Sequence, residues 1–319
     1  MQRRSLWKAA MASGIAALVA GEPGRTASPP NERRASASRF IRTRDGTNLF
    51  YRDWGAGPPL LFVAPWALNS DWWEYQMSPL SERGLRCVAY DRRGHGRSDE
   101  PPRGYEFDTL ADDLAEVIEQ LDLRDLTLVG HSMGCAEVVR YLSRRPAGRV
   151  TRAVLIATIT PFTLKTADNP AGVEESNLEK GRVALAKDRP GQIAKATQGF
   201  FGVPPNDVSP ALMDWWVRMM LDRCSLKVML DLHRVFTRTD FRADLRKIDL
   251  PVLLIHGDHD VSTPIDLTSR QTAPLLSRCE LRVYENAAHG LPITHMDRLN
   301  ADLLAFAKPG LPRGRGRSR

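Results

Sequence analysis

Apolar positions recur along this chain in two rhythms. From residue 39, "RFIRTRDGTNLFYRDWG" alternates apolar and polar side chains on either side of Asp45-Gly46, the period-2 pattern of two strands joined by a tight turn. "PPLLFVAP" and "LRCVAYDRRG" are short apolar runs closed by Pro or Gly, which predicts strands buried on both faces. "LTLVG", "RVTRAVLIAT", "DLPVLLIHGD" and "CELRVYENA" predict four more strands. Between them the spacing changes to three and four. "WWEYQMSPLSE", residues 109–121, residues 133–145 and "THMDRLNADLLAFAK" predict helices with one apolar face.

Strands alternating with helices predict an α/β fold: a mostly parallel sheet flanked by helices, with functional groups at the carboxyl ends of the strands. Residues 161–250 break the rhythm. Helices fit there, from 183–187 onward and over 210–221, and no clear strand does. An insertion of that size between two late strands predicts a helical cap, whose "FF" at 200–201 and "DWWVRMM" at 214–220 either line a pocket or pack the cap onto the sheet. The expected organisation is a leader over 1–38, a core from 39–160 and 251–308, the cap over 161–250 and a tail over 309–319.

Composition narrows the picture. A chain of 319 residues with 42% hydrophobic content can bury one large core, and no apolar run is long enough for a membrane-spanning helix. The net charge of +7 sits in the ends, with seven Lys/Arg against two Glu in residues 1–40 and four arginines after Lys308. The body is therefore slightly acidic, and no nucleic-acid partner is expected. Cys87, Cys135, Cys224 and Cys279 have no paired spacing, so neither a disulfide framework nor a zinc module is expected. The start, with Arg3-Arg4 ahead of an Ala/Gly-rich apolar run from Ala9 to Ala20, resembles a twin-arginine export signal. That predicts a periplasmic or secreted protein; the alternative is a disordered basic start on a cytoplasmic one.

The chemistry centres on "LTLVGHSMG". Gly130-x-Ser132-x-Gly134 between a strand and a helix is the nucleophile-elbow pattern. A sharp turn strains the serine backbone and exposes its oxygen, flanking glycines make room, and the helix starting at Met133 points its positive end at the site. A serine hydroxyl needs a base. The base belongs in the loop after the last strand, where "ENAAHGLP" supplies His289. His295 falls near a helix cap, His95 lies after the fourth strand, His233 in the cap, and His131 is turned away from its neighbour Ser132. The orienting carboxylate belongs in "IHGDHDVSTP": Asp258 is placed to bond local amides, and Asp260, further along, is the choice. "ATITPF", the competing acid position, has no carboxylate. His256-x-Asp258-His259-Asp260 lacks supporting ligands, so no metal is expected. One oxyanion donor is the Met133 N–H, and the other belongs to the loop "FVAPWALN".

With "DWWEYQM", "AYDRRGHGRSD", "LTLVGHSMG", "TPFTLKTADNPAGV", "IHGDHDVSTPID" and "AAHGLPITHMDRLNADLLAFAK", residues 39–308 resemble an α/β-hydrolase, most of all the bacterial cofactor-free (non-haem) chloroperoxidases and related arylesterases and perhydrolases. The resemblance implies a Ser132–Asp260–His289 triad, oxyanion donors at Trp66 and Met133, and no cofactor. It also implies hydrolysis of small-molecule esters, with the acyl-serine taken by water or by hydrogen peroxide. The family pattern has His-Gly before the tryptophan, whereas this chain has Ala64-Pro65. Pro65 has no N–H and a fixed φ. Lactone or C–C bond hydrolysis on the same triad, and an inactive ligand-binding homologue, stay open as alternatives, as does a homo-oligomer.

Overall fold

The computed structural model describes residues 39–145 and 148–308. The expected leader and Gly/Arg tail lie outside the described residues. The elements in chain order are β1 (Phe40–Arg42), β2 (Asn48–Trp54), β3 (Pro59–Val63), α1 (Glu74–Glu82), β4 (Arg86–Tyr90), α2 (Phe107–Gln120), β5 (Leu126–His131), α3 (Met133–Arg144) and β6 (Val150–Ile156). Four long helices follow: α4 (Glu175–Lys187), α5 (Arg189–Phe201), α6 (Pro210–Asp222) and α7 (Leu226–Arg238). The chain closes with α8 (Arg242–Leu245), β7 (Val252–Gly257), α9 (Ser269–Thr272), β8 (Cys279–Tyr284), α10 (Leu291–Thr294) and α11 (Met296–Ala307).

The strands form one sheet in the order β1-β2-β4-β3-β5-β6-β7-β8. β1–β2 and β2–β4 are antiparallel, and every pair from β4 to β8 is parallel. β5 and β7 are buried along their whole length, which is why they read as unbroken apolar runs. β3 sends the chain to β4 on one side and has β5 on the other. Strand order therefore reverses at β3, and the crevice beyond such a switch is where α/β sheets bind ligands.

The hairpin forms because Asp45 bonds its own turn: Oδ1 accepts from Thr43 Oγ1 (2.5 Å) and the Thr47 N–H (3.1 Å). Its partner position is Gly46, at φ 87°. Inside the insertion, local stop and start signals set the helices. Asp188, Ser209 and Ser225 cap α5, α6 and α7, and left-handed Gly202 ends α5. α4 has no side-chain cap and begins eight residues before 183, where the sequence pattern had placed it. "WWEYQMSPLSE" is a 3₁₀ turn (Ser70–Trp73), capped by Asn69, followed by α1. Among the described residues no helix is long and apolar enough to cross a membrane. All four cysteines are free.

The loop after β4 buries His95 at the foot of α7. Its Nδ1 faces the Arg93 carbonyl (2.9 Å), so Nδ1 carries the proton and donates. The Cys224 thiol lies 3.7 Å from Nε2. Burial, with the Arg92 charge behind it, pulls His95 down to about 3. A depressed histidine gives stability that is complete above the unfolded pKa of about 6.5 and is lost as pH falls toward the folded value. We therefore expect the stability of the parent relative to His95→Gln to fall by about 1.4 kcal/mol per pH unit between pH 6 and 4. Urea unfolding of both proteins across that range measures it, and a pH-independent difference contradicts the assignment.

Candidate active site

At the end of β5 the backbone turns left-handed: Ser132 has φ 55° and ψ −118°. That conformation costs an L-residue about 1–3 kcal/mol and survives where the surroundings over-determine it. Here the Ser132 N–H donates to Ile156 O on β6 (2.9 Å). The glycines are required by the space available. A Cβ on Gly130 would lie 2.7 Å from the Gly134 carbonyl oxygen, and one on Gly134 would lie 2.4 Å from that of Val63. Met133 opens α3, at a position where helix amides have no intrahelical acceptor.

Asp260 and His289 meet directly. His289 Nδ1 donates to Asp260 Oδ2 at 2.7 Å, with both side chains buried. Asp260 Oδ1 also accepts from the Ser262 and Thr263 amides, both at 2.9 Å. This inverts the expectation for the two aspartates: Asp260 bonds the local amides, and Asp258 pairs with exposed His259. Burial alone would raise Asp260. The facing His289 and His256 and their hydrogen bonds overcome it and hold the carboxyl far below the usual carboxylate range.

His131 was expected to point away from the site. Its ring instead lies 4.9 Å from that of His289. Trp72 Nε1 donates to His131 Nδ1 (3.1 Å), which leaves Nε2–H to donate to the His289 carbonyl (3.0 Å). Burial and the adjacent His289 hold His131 well below the ordinary histidine range, so it stays neutral. The residue beside Ser132 thus anchors the loop that carries His289. The cap grips the same loop, since the Gly290 N–H donates to Phe200 O (2.6 Å) and the Phe200 ring packs against His289.

Two further residues escaped the sequence reading. The Thr263 hydroxyl donates to Asp260 Oδ2 (2.9 Å) and lies 3.1 Å from His289 Nδ1. His256 Nε2 donates to Thr263 O (2.7 Å), 3.3 Å from Asp260 Oδ2, while Nδ1 is bonded to Ser269 Oγ (2.7 Å). A hydroxyl three residues after an Asp is a recognisable turn signal; the His256 contact depends on the tertiary fold. Among the described residues no three His, Cys, Asp or Glu side chains form a group able to hold a metal ion. His295 holds the N-cap position of α11 without a side-chain cap bond, and His233, on α7, packs on Trp66.

The β3–α1 loop carries Trp66. Its indole Nε1 donates to Met229 O on α7 (3.1 Å), so the side chain is fastened to the cap while the backbone stays with the sheet. Gly134 lies against the carbonyls of Val63 and Ala64, which sets this loop beside the start of α3. For the anchoring histidine, His131→Phe keeps a ring but leaves Trp72 N–H and His289 C=O unpaired. We expect it to lower unfolding free energy by about 1–3 kcal/mol or more; parent stability in chemical denaturation contradicts the anchoring role.

The sequence matches the family described as the alpha/beta hydrolase fold over residues 58–295. It is 40% identical to a non-heme chloroperoxidase of Kitasatospora aureofaciens, over 83% of this chain and 97% of that protein. It is 37% identical to a bifunctional esterase/perhydrolase of Acinetobacter calcoaceticus, over 84% and 99%. The crystal structure of a bromoperoxidase from Bacillus anthracis superposes with a TM-score of 0.80 at 34% identity, covering 84% of this chain and 98% of that one. Sheet order, left-handed Ser132 and these likenesses agree: the chain belongs to the α/β-hydrolase family.

Proposed function

We propose that the protein is a serine hydrolase of small carboxylic esters, with hydrogen peroxide as an alternative to water in the second half-reaction. The observation that carries this reading is the pairing of a left-handed Ser132 at the β5–α3 corner with a buried Asp260–His289 hydrogen bond of 2.7 Å at the ends of β7 and β8. In this reading Ser132 Oγ attacks the ester carbonyl and His289 accepts its proton. Asp260 holds the imidazole with Nε2 toward the serine and stabilises the imidazolium. The Met133 and Trp66 amides take the oxyanion, and His289 returns the proton to the leaving alcohol. Water then releases the acid from the acyl-serine, or peroxide releases a peracid. The names of the chloroperoxidase and esterase/perhydrolase relatives support both routes.

A cavity of about 100 Å³ lined by Ile159, Phe162, Phe236, Thr263 and Leu267 reaches the Asp260–His289 pair through Thr263, whose hydroxyl bonds Asp260 and faces His289. Its small volume supports a preference for short acyl groups. The Arg3-Arg4 leader supports export of the folded enzyme; a fusion to a reporter that fluoresces only after folded export tests it, and cytoplasmic retention contradicts it.

Ser132→Ala should lower ester turnover by at least about 10⁴-fold, and Asp260→Asn by roughly 10³–10⁴-fold. Steady-state hydrolysis of acetate, butyrate and octanoate aryl esters measures both and checks the preference for short acyl groups. Retained turnover in Ser132→Ala overturns the reading. With hydrogen peroxide and bromide added, the parent should oxidise bromide in proportion to ester consumed, while Ser132→Ala should not. Ester-independent oxidation contradicts the acyl-serine route.

A further inference from the structure

Three buried residues outside the triad tie the two sides of the proposed oxyanion hole together. Glu137 lies one turn after Met133 on α3, on the same face of the helix. Arg92 follows β4 and donates through Nε to Glu137 Oε2 (2.7 Å) and through Nη2 to the carbonyl oxygen of Ala64 (2.8 Å). Tyr90, on β4, donates its hydroxyl to the other oxygen of Glu137. The pair is sealed from water, Arg92 being 2% exposed and Glu137 0%. Ala64 is two residues before Trp66, and Met133 is four residues before Glu137. The guanidinium therefore bridges the segments that carry the two oxyanion donors.

A buried ion pair is a poor way to gain stability, because desolvation cancels much of the attraction and apolar isosteres often serve as well or better. Burial pushes Glu137 up and Arg92 down to about 10, each toward its neutral form. What the pair supplies is geometry. Arginine is planar and presents two donors along one edge in fixed relation, as joining a carboxylate to a carbonyl requires. The carbonyl it holds belongs to the Ala64-Pro65 step, where this chain departs from the His-Gly pattern and Pro65 offers no N–H of its own.

We propose that Arg92, held by Glu137 and Tyr90, is a positioning residue for the oxyanion hole, fixing the Trp66 amide relative to the Met133 amide through the Ala64 carbonyl. The proposal rests on the serine-hydrolase reading. It predicts an effect on the tetrahedral state and little on ground-state ester binding.

Two variants test it. Arg92→Lys keeps the charge but replaces the fork with a point donor. The double variant Arg92→Met/Glu137→Met removes the ion pair and fills its space with apolar side chains, so that one of the two folds if the other does not. Each is compared with the parent for thermal stability, kcat and KM on a short-chain aryl ester, and affinity for a trifluoromethyl ketone, which forms a tetrahedral adduct on a reactive serine. The expected result is a kcat lower by about 10- to 100-fold, a ketone affinity lower by a similar factor, and a KM within about twofold. A folded variant with parental kcat overturns the proposal, as does one that loses kcat with ketone affinity intact. A parent with neither ester turnover nor a ketone adduct on Ser132 overturns the serine-hydrolase reading, and the positioning role falls with it.

Discussion

The left-handed turn at Ser132 is the constraint on which the rest of the site depends. A residue at φ 55° between a buried strand and a helix leaves no room for side chains at 130 or 134. With those positions reduced to glycine, the carbonyls of Val63 and Ala64 come against the start of α3, and the loop after β3 is drawn beside the serine. The Ile156 carbonyl on β6 holds the turn from the other side. The strain of about 1–3 kcal/mol is thus distributed over β3, β5, β6 and α3, all of them core elements. This is why the buried Ser132 can be kept in one place.

The other half of the site is held by polar contacts that reach it from several directions. Asp260 is fixed by two backbone amides, the Thr263 hydroxyl and His289. The His289 loop is held from the sheet by His131 and from the cap by Phe200 O. Trp66 likewise joins sheet to cap through Met229 O. The cap therefore does more than cover the strand ends: both the His289 loop and the Trp66 loop are fastened to it. The α5 helix holds the His289 loop and α7 the Trp66 loop.

Much of this was legible in the sequence because the signals are local. Gly130-x-Ser132-x-Gly134 encodes its own turn, the apolar runs encode buried strands, and the loops after β7 and β8 carry Asp260 and His289 in chain order. Asp188, Ser209 and Ser225 mark helix starts in the insertion, whereas α4, with no cap and a glycine at position 181, has little to mark it. The contacts that went unread join residues far apart in the chain. His131 meets the His289 backbone across 158 positions, and Arg92 meets Glu137 across 45. A histidine beside the serine and a charged residue inside a helix look ordinary until the fold brings their partners to them. Asp260 is the aspartate that reaches His289, and it also takes the local amides expected for Asp258, because the turn after it points Ser262 and Thr263 N–H back at its carboxylate.

The central claim is that Ser132 is the one activated nucleophile of this protein and that Asp260 and His289 activate it. Peptide mass spectrometry after brief exposure to a fluorophosphonate tests this most directly, since the reagent phosphonylates a serine that has a working base. The account predicts a single adduct on the peptide containing Ser132, formed far more slowly in Asp260→Asn. No adduct on the folded protein, an adduct on another residue, or undiminished labelling in Asp260→Asn would contradict it.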